Sequence, residues 1–391
     1  MGIARGVVSS WQAIGARPVR VSATEPIAMV LVSDEVDANE LHYFDSLPKA
    51  LSYFMNGRSF KDIKKLQSKG NLFKYLVWAN NKYEIIVPTI VSVAKWDKDA
   101  KKLKTNIIKA IADLKKVPAM YKVRPDIIAV ADYTTDIEIA KQLVATTHLL
   151  RARTFVDLNA NDGSDAIAKR GQFGSERVTP VYCNIKDWNT LIDDSDEFSA
   201  NFCLSILRCA IDASDTTRGV GWSYSLSNKL LPVADATKDV DFILGLPDET
   251  DLLTNSQITT FIEFQGIRVW NYQTCSADAL LQDATRVRIF DKLTFAVLPA
   301  IFPFIDSDRG VKAVKEAKDT IRSFVADMIG KEVLIGGMIE LDTDLTTPTA
   351  ITNGEFYFKV LTQENPKPTK IAVEFNRVDI YSDVVYKIIQ G

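Results

Sequence analysis

The feature that most restricts the fold of this chain is a regular alternation between residues 26 and 214. Apolar runs of strand length take turns there with amphipathic helical segments. PIAMVLVS (26–33) is a continuous apolar run, followed by a polar loop and an amphipathic helix, LPKALSYFM. YEIIVPTIVSV is the next strand, and Pro88 predicts that it is bulged or at an edge. KKLKTNIIKAIADLKK puts Ile107, Ile108, Ile111 and Leu114 on one helical face. PDIIAVAD, TFVDLN and RVTPVYCN read as strands. TDIEIAKQLVATTHLL, a segment after Asp162-Gly163, and SANFCLSILRCAIDAS read as helices. Strands that alternate with helices of this length predict βαβ units and a largely parallel sheet.

The pattern changes near Asp251. An irregular stretch, TTRGVGWSYSLSNKLLPVADATKD, is too long for a plain connection and predicts a functional or interfacial segment. ITTFIEFQ and GIRVW then follow as a hairpin, and DATRVRIFDKLTFAVLPAIF and DRGVKAVKEAKDTIRSFVADMIG as two helices. EVLIGGMIELD and GEFYFKVLTQ are strands, and TKIAVEF alternates as a half-buried strand would. The fold class is therefore α/β, α+β overall, and 391 residues exceed what one core comfortably organises.

Composition removes several functions. Apolar residues make up 47% and charged residues 25%, with a net charge of −3. No global basic field favours nucleic acid or an anionic membrane, and neither is expected as a partner. No run approaches a membrane span, no leader is expected, and Gly6 breaks the myristoylation pattern that Met1-Gly2 begins. Cys183, Cys203, Cys209 and Cys275 are scattered and read as buried thiols. His42 is placed in a polar loop-like stretch and His148 near a helix end, neither with a partner at ligand or triad spacing.

No Walker loop, dinucleotide fingerprint, nucleophile elbow or zinc-protease helix occurs. Gly219-Val-Gly221-Trp222 lacks the third glycine of a fingerprint, and the acidic group at Asp193, Asp194, Asp196 and Glu197 lacks the spacing of a calcium loop. Catalytic, metal and cofactor sites are expected to be absent. Trp270 and Cys275, crowded into GIRVWNYQTCS, have no acid, base or metal partner and read as packing. The helix from Asp308 to Met328 carries a core stripe of Val311, Val314, Ile321, Phe324 or Val325, and Met328. Lys312, Lys315 and Arg322 form a second, basic face suited to an acidic partner.

Both ends of the chain are apolar yet extended in pattern. Ile3, Val7, Trp11, Ile14 and Val19 are too sparse for a helical stripe, and Ile371, Val373, Phe375, Ile380, Val384, Tyr386 and Ile388 continue past the last clear strand. Such edges aggregate unless they are paired.

Residues 247–280, PDETDLLTNSQITTFIEFQGIRVWNYQTCSADAL, resemble contractile tail sheath proteins of myophages and R-type pyocins, in their compact form. The matching positions are Leu252, Leu253, Ile258, Gly266, Arg268, Trp270, Thr274 and Cys275. Asn271 and Gln273 depart from the Gly and Arg of that pattern. The resemblance is softer in the opening arm, in GWSYSLSNK and in NGEFYFKV.

The resemblance implies a virion structural protein without catalysis. Its subunits would stack as hexameric rings in a helical homo-oligomer around a tail tube, with baseplate and terminator proteins at the ends. It divides the chain into an extended arm (1–25), an outer α/β domain (26–250), an inner domain (251–370) with a mixed sheet and two helices, and a C-terminal strand or arm (371–391). The arms would complete a sheet shared between subunits, and an arm of about 20 residues spans roughly 65 Å at ~3.3 Å per residue. The place expected is the virion tail, with assembly in the host cytoplasm. Two other readings remain open: an α/β enzyme with a cleft near Asp157 to Gly163, and a non-contractile scaffold or surface-layer protein.

Overall fold

The computed structural model describes residue 19 and residues 26–34, 39–59, 62–64, 69–83, 86–378 and 381–390. Its centre is strand β1 (Ile27–Ser33), buried at all seven positions. Side chains alternate across a strand, so β1 feeds two cores. Ile27, Met29 and Leu31 enter the larger one, and Ala28, Val30 and Val32 the smaller one on the opposite face. β2 (Leu41–Phe44) follows, so the stretch around His42 is an edge strand and not the expected loop. α1 (Leu47–Met55) and α2 (Leu72–Lys82) then cover the larger core. The sequence pattern did not single out α2, which carries buried Tyr75 and Trp78.

β3 (Thr89–Lys95) pairs parallel with β1 and begins just after Pro88, which therefore removes no ladder donor. α3 (Ala100–Asp113) and a short α4 (Val117–Tyr121) lead to β4 (Ile127–Val130), parallel on the other side of β1. α5 (Ile137–Leu150), capped by Asp136 through the Glu138 and Ile139 amides, closes the smaller core beside α3. β5 (Thr154–Asp157), α6 (Gly163–Arg170) and β6 (Val178–Val181) continue the parallel arrangement.

Among the described residues a single ladder bridge, Ile127 with Arg153, joins β4 to the start of β5. Beyond that point α7 (Ala200–Ser214) inserts the buried Asn201 side chain between them. Its Oδ1 accepts from Val130 N at 2.8 Å, and its amide donates to Phe155 O and to Thr154 Oγ1. One side chain thus replaces the missing ladder bonds where the strands diverge. β7 (Ile185–Asn189), β8 (Asp194–Phe198) and β9 (Asp235–Ala236) form a small antiparallel sheet. The acidic group at 193–197 lies largely on its exposed strand β8.

After α8 (Glu249–Asn255), Thr259 bridges β6, and the hairpin β10 (Thr260–Glu263) and β11 (Ile267–Trp270) extends the central sheet. The far side of β11 is covered by residues 228–231: Asn228 N donates to Val269 O at 2.6 Å and Leu231 N to Ile267 O at 2.8 Å. Phe261, Ile267, Val269, Tyr272, Cys275 and Ala284 all belong to the larger core. That core therefore runs past the change of pattern at Asp251.

A third core starts beyond it. α9 (Ala284–Ile301), α10 (Val311–Gly330) and the antiparallel ribbon β12 (Leu334–Leu341) and β13 (Phe358–Glu364) pack together with Val220 and Trp222 from the irregular stretch. α11 (Pro348–Thr352) lies in the connection. Ile321, Phe324, Val325 and Met328 line this core as expected. Val311 does not; it is 73% exposed, and Ala313 and Ala317 hold the first turns of α10 against its neighbours instead. The end of the chain departs most from the pattern. Residues 365–378 pair with no strand among the described residues, and residues 382–390 form helix α12 (Ser382–Gln390) where a strand was expected. Val384, Val385, Ile388 and Ile389 recur at a helical period, which explains the difference.

Candidate assembly surfaces

GIRVWNYQTCS is an edge hairpin and its anchor. Gly266 sits at the hairpin tip with φ +99°, and a Cβ there would lie 2.9 Å from Leu230 Cδ1, so the tip requires glycine. Arg268 donates from Nε to Phe264 O at 2.8 Å and from Nη1 to Asn228 O at 3.0 Å, tying the hairpin to the covering strand. Trp270 is half-buried, its ring 5.2 Å from that of Phe242. Thr274 is buried and donates from Oγ1 to Leu281 O at 2.7 Å. Cys275 N donates to Val178 O at 3.0 Å, and burial pushes the thiol up to about 12. These residues splice the hairpin onto β6.

Behind them lies a set of buried charges joining the central sheet to the third core. Arg288 of α9 is 1% exposed. Its Nε and Nη2 donate to Asp126 Oδ2 at 2.8 and 2.5 Å, and its Nη1 to Asp212 Oδ1 at 2.6 Å and Trp222 O at 3.1 Å. Arg208 of α7, equally buried, donates to Asp212 Oδ1 at 2.9 Å and to the carbonyls of Tyr224 and Gly221 at 2.6 and 2.7 Å. One turn along α9, Asp291 accepts from Arg153 at 2.5 Å and from Arg177. Burial alone would raise the Asp126 carboxyl, but the charges of Arg288, Lys292 and Arg153 outweigh it and hold it far below the usual range. Asp212 is lowered in the same way, against its own burial, by Arg288 and Arg208.

The sequence pattern did not single out this joint. Its only signal was charge placed inside apolar helices: Arg208 with Asp212 at i,i+4, and Arg288 with Asp291 and Lys292.

The ends of the parallel strands, where a cleft would lie, are filled by polar bonding internal to the protein. Asp157 accepts from Ser199 Oγ at 2.5 Å, Asn201 N at 2.6 Å and Thr134 Oγ1 at 3.1 Å. Burial raises it to about 6 despite these bonds. Asp132 accepts from Tyr75 OH and from Asn71 Nδ2 at 2.9 Å. A cavity of about 210 Å³ beside Asp157 is lined by Thr134, Lys169, Gln172 and Phe173, but the carboxylate's bonds turn inward to the fold. His148 shares a hydrogen bond with Ser175 Oγ at 2.8 Å at the end of α5. Among the described residues no group of three His, Cys, Asp or Glu side chains is placed to hold a metal, and no helix is long and apolar enough to cross a membrane.

The exposed apolar surface concentrates at the end of the chain. Ile371, Val373 and Phe375 are 81, 68 and 93% exposed, and Val384, Tyr386 and Ile388 are exposed on α12. β12 and β13 pair only with each other among the described residues, so both outer edges of the ribbon are open. Lys312, Lys315 and Arg322 are exposed on α10, and Arg322 is ion-paired with Asp319 at 3.1 Å. Val19 packs partly buried against the third core of its own chain. Ile3, Val7, Trp11, Ile14 and Ile380 lie outside the described residues.

This arrangement of an α/β sheet, a helical layer and a two-stranded ribbon is similar to the fold of solved contractile sheath structures. The chain superposes on the sheath of an extracellular contractile injection system in its contracted state with a TM-score of 0.68, at 12% identity, covering 97% of this chain and 99% of that one. The helical sheath of the anti-feeding prophage, also contracted, gives 0.66 at 16% identity, covering 97% and 100%.

The sequence resembles named tail sheaths. It is 24% identical over 243 residues to a putative prophage major tail sheath protein of Pseudomonas aeruginosa (strain UCBPP-PA14), 61% of each chain. It is 28% identical over 161 residues to the tail sheath protein of Escherichia phage P2, 40% of this chain and 39% of that protein. The chain thus spans about three fifths and two fifths of the lengths of these two relatives. No family model matches it.

Proposed function

We propose that this chain is a structural, non-enzymatic subunit of a contractile tail sheath, of a phage or a tailocin. It polymerises helically, in hexameric rings around a tail tube, and contracts to drive the tube through a host envelope. The observation that carries this reading is the pairing of an open-edged ribbon, β12–β13, with an apolar C-terminal segment that has no partner strand among the described residues. A strand from a neighbouring copy would satisfy the ribbon's free backbone groups and cover Ile371, Val373 and Phe375 together. The terminal arms then tether subunits while their other contacts exchange between two packings. The extended state is held by a kinetic barrier and released from the baseplate.

The inner region would face the tube through the exposed basic residues Lys312, Lys315 and Arg322. The baseplate and a terminator protein bound the polymer, which is built in the host cytoplasm and ends in the virion tail. Negative-stain imaging of the purified protein tests the reading. Sheath-like tubes are expected, and their loss on deleting residues 1–20 or 371–391 from a chain that still folds. Long tubes from both truncated chains would show that the arms do not link subunits.

A further inference from the structure

Residues 241–247, DFILGLP, form an ordered turn that presents large aliphatic side chains to solvent. Leu246 N donates to Ile243 O at 3.2 Å, and Gly245 adopts φ +86°, the geometry of a type II turn. The turn is held from behind by α8: Ile243 N donates to Asp248 Oδ2 at 2.7 Å and Asp241 N to Glu249 Oε2 at 3.4 Å. Ile243, Leu244 and Leu246 are 54, 68 and 61% exposed on it. Exposed apolar residues are ordinary when single, whereas a fixed cluster marks a contact.

The chain carries a second unpartnered apolar surface of complementary kind. Val384, Val385, Ile388 and Ile389 fall on one face of α12 and are 50, 57, 74 and 77% exposed. The charges around the two surfaces differ in sign. Every ionisable residue from 239 to 251 is acidic, whereas Lys367, Lys370 and Arg377 outnumber Glu374 and Asp379 in the segment that leads to α12.

We propose that in the polymer α12 of one copy docks on the Ile243–Leu246 turn of another copy. The acidic flanks of the turn attract the basic segment, and the helix covers the aliphatic side chains. Two different surfaces of one chain make a heterologous contact, which propagates as a ring or a helix and does not close as a dimer. The inference rests on the assembly reading above and adds a contact distinct from strand addition to the ribbon.

The test uses the full chain with Leu244→Cys and Val385→Cys together, assembled and then treated with a short bismaleimide. The four native cysteines are buried and stay silent. A ladder of covalent multimers is expected from the double variant, and none from either substitution alone. Tubes without a ladder, or a ladder only when Val385→Cys is paired with Leu298→Cys or Met338→Cys, would overturn the docking and leave the assembly reading standing. Failure of the unaltered chain to polymerise would remove both. As a second readout, Ile243→Gln with Leu244→Gln leaves monomer melting unchanged and raises the concentration needed for assembly roughly tenfold or more. Assembly at an unchanged concentration would also overturn the docking.

Discussion

The Arg288 guanidinium donates two hydrogen bonds to the Asp126 carboxylate, joining positions 162 residues apart at a site closed to solvent. Arg288 also bonds Asp212, so one cation serves two buried carboxylates. Arg288→Ala removes the cation hydrogen-bonded to Asp126 and leaves Asp212 with Arg208. The expected loss is about 3–5 kcal/mol, the range for breaking a buried pair from one side. Urea unfolding followed by fluorescence and by circular dichroism measures it. Arg288→Met together with Asp126→Asn is expected to recover part of that loss, because Asp212 keeps its bond to Arg208.

Gly221 seats the irregular stretch on α7. A Cβ there would lie 2.4 Å from Ile211 O and 2.5 Å from Asp212 O, both rigid helix backbone. Gly221→Ala is expected to cost about 1–3 kcal/mol through overpacking and to loosen the Arg208 bond to Gly221 O. A thermal melt of the purified monomer gives the answer, and an unchanged melting temperature would refute the close approach.

Asp157 gives the protein a pH dependence of definite sign. Burial raises its folded-state value from the ordinary 3.8 to about 6. Its contribution to stability is fully present below about pH 4 and is lost as pH rises through about 6. The total is about 3 kcal/mol at ~1.4 kcal/mol per pH unit. Asp157→Asn should lack this fall between pH 4.5 and 7, as read by urea midpoints at the two values. Asp126 and Asp212 act oppositely: their contribution is present above about pH 4 and lost as pH falls below it. Both ends of the comparison therefore lie outside their window.

The cysteines are expected to be inert in the native state. All four are buried, and burial pushes Cys183 and Cys275 up to about 12. At pH 8 a chromogenic disulfide reagent should find no thiol in folded protein and four after denaturation. Rapid labelling without denaturant would contradict the packing described for the hairpin anchor.

The elements that sequence made legible are those whose local period matches their burial. LPKALSYFM coincides with α1, and PIAMVLVS contains β1, because one buried face or two buried faces impose a period that survives in the residues. GIRVWNYQTCS was readable as packing from what it lacks, an acid, base or metal at chemical spacing. What escaped was set by contacts distant in sequence. Asn201 looks like one polar residue in an apolar helix until two strands diverge around it. Arg288 and Asp126 look like ordinary charges until folding removes the water between them. The helix at 382–390 was legible in its period, but an alternating segment just before it drew the reading toward a strand.

The central sheet and the β12–β13 ribbon differ in how they end. The far strand of the central sheet, β11, is closed by residues 228–231 of the same chain, whereas among the described residues the β12–β13 ribbon stays open at both sides. If the ribbon takes strands from neighbouring copies as proposed, that need is present from the moment a subunit folds and does not wait for a trigger. A cell making this protein would then have to bring subunit and nucleation site together in time. Otherwise open edges meant for an ordered array would join subunits wherever they first meet, and yield would depend on the order of synthesis as much as on the strength of any contact.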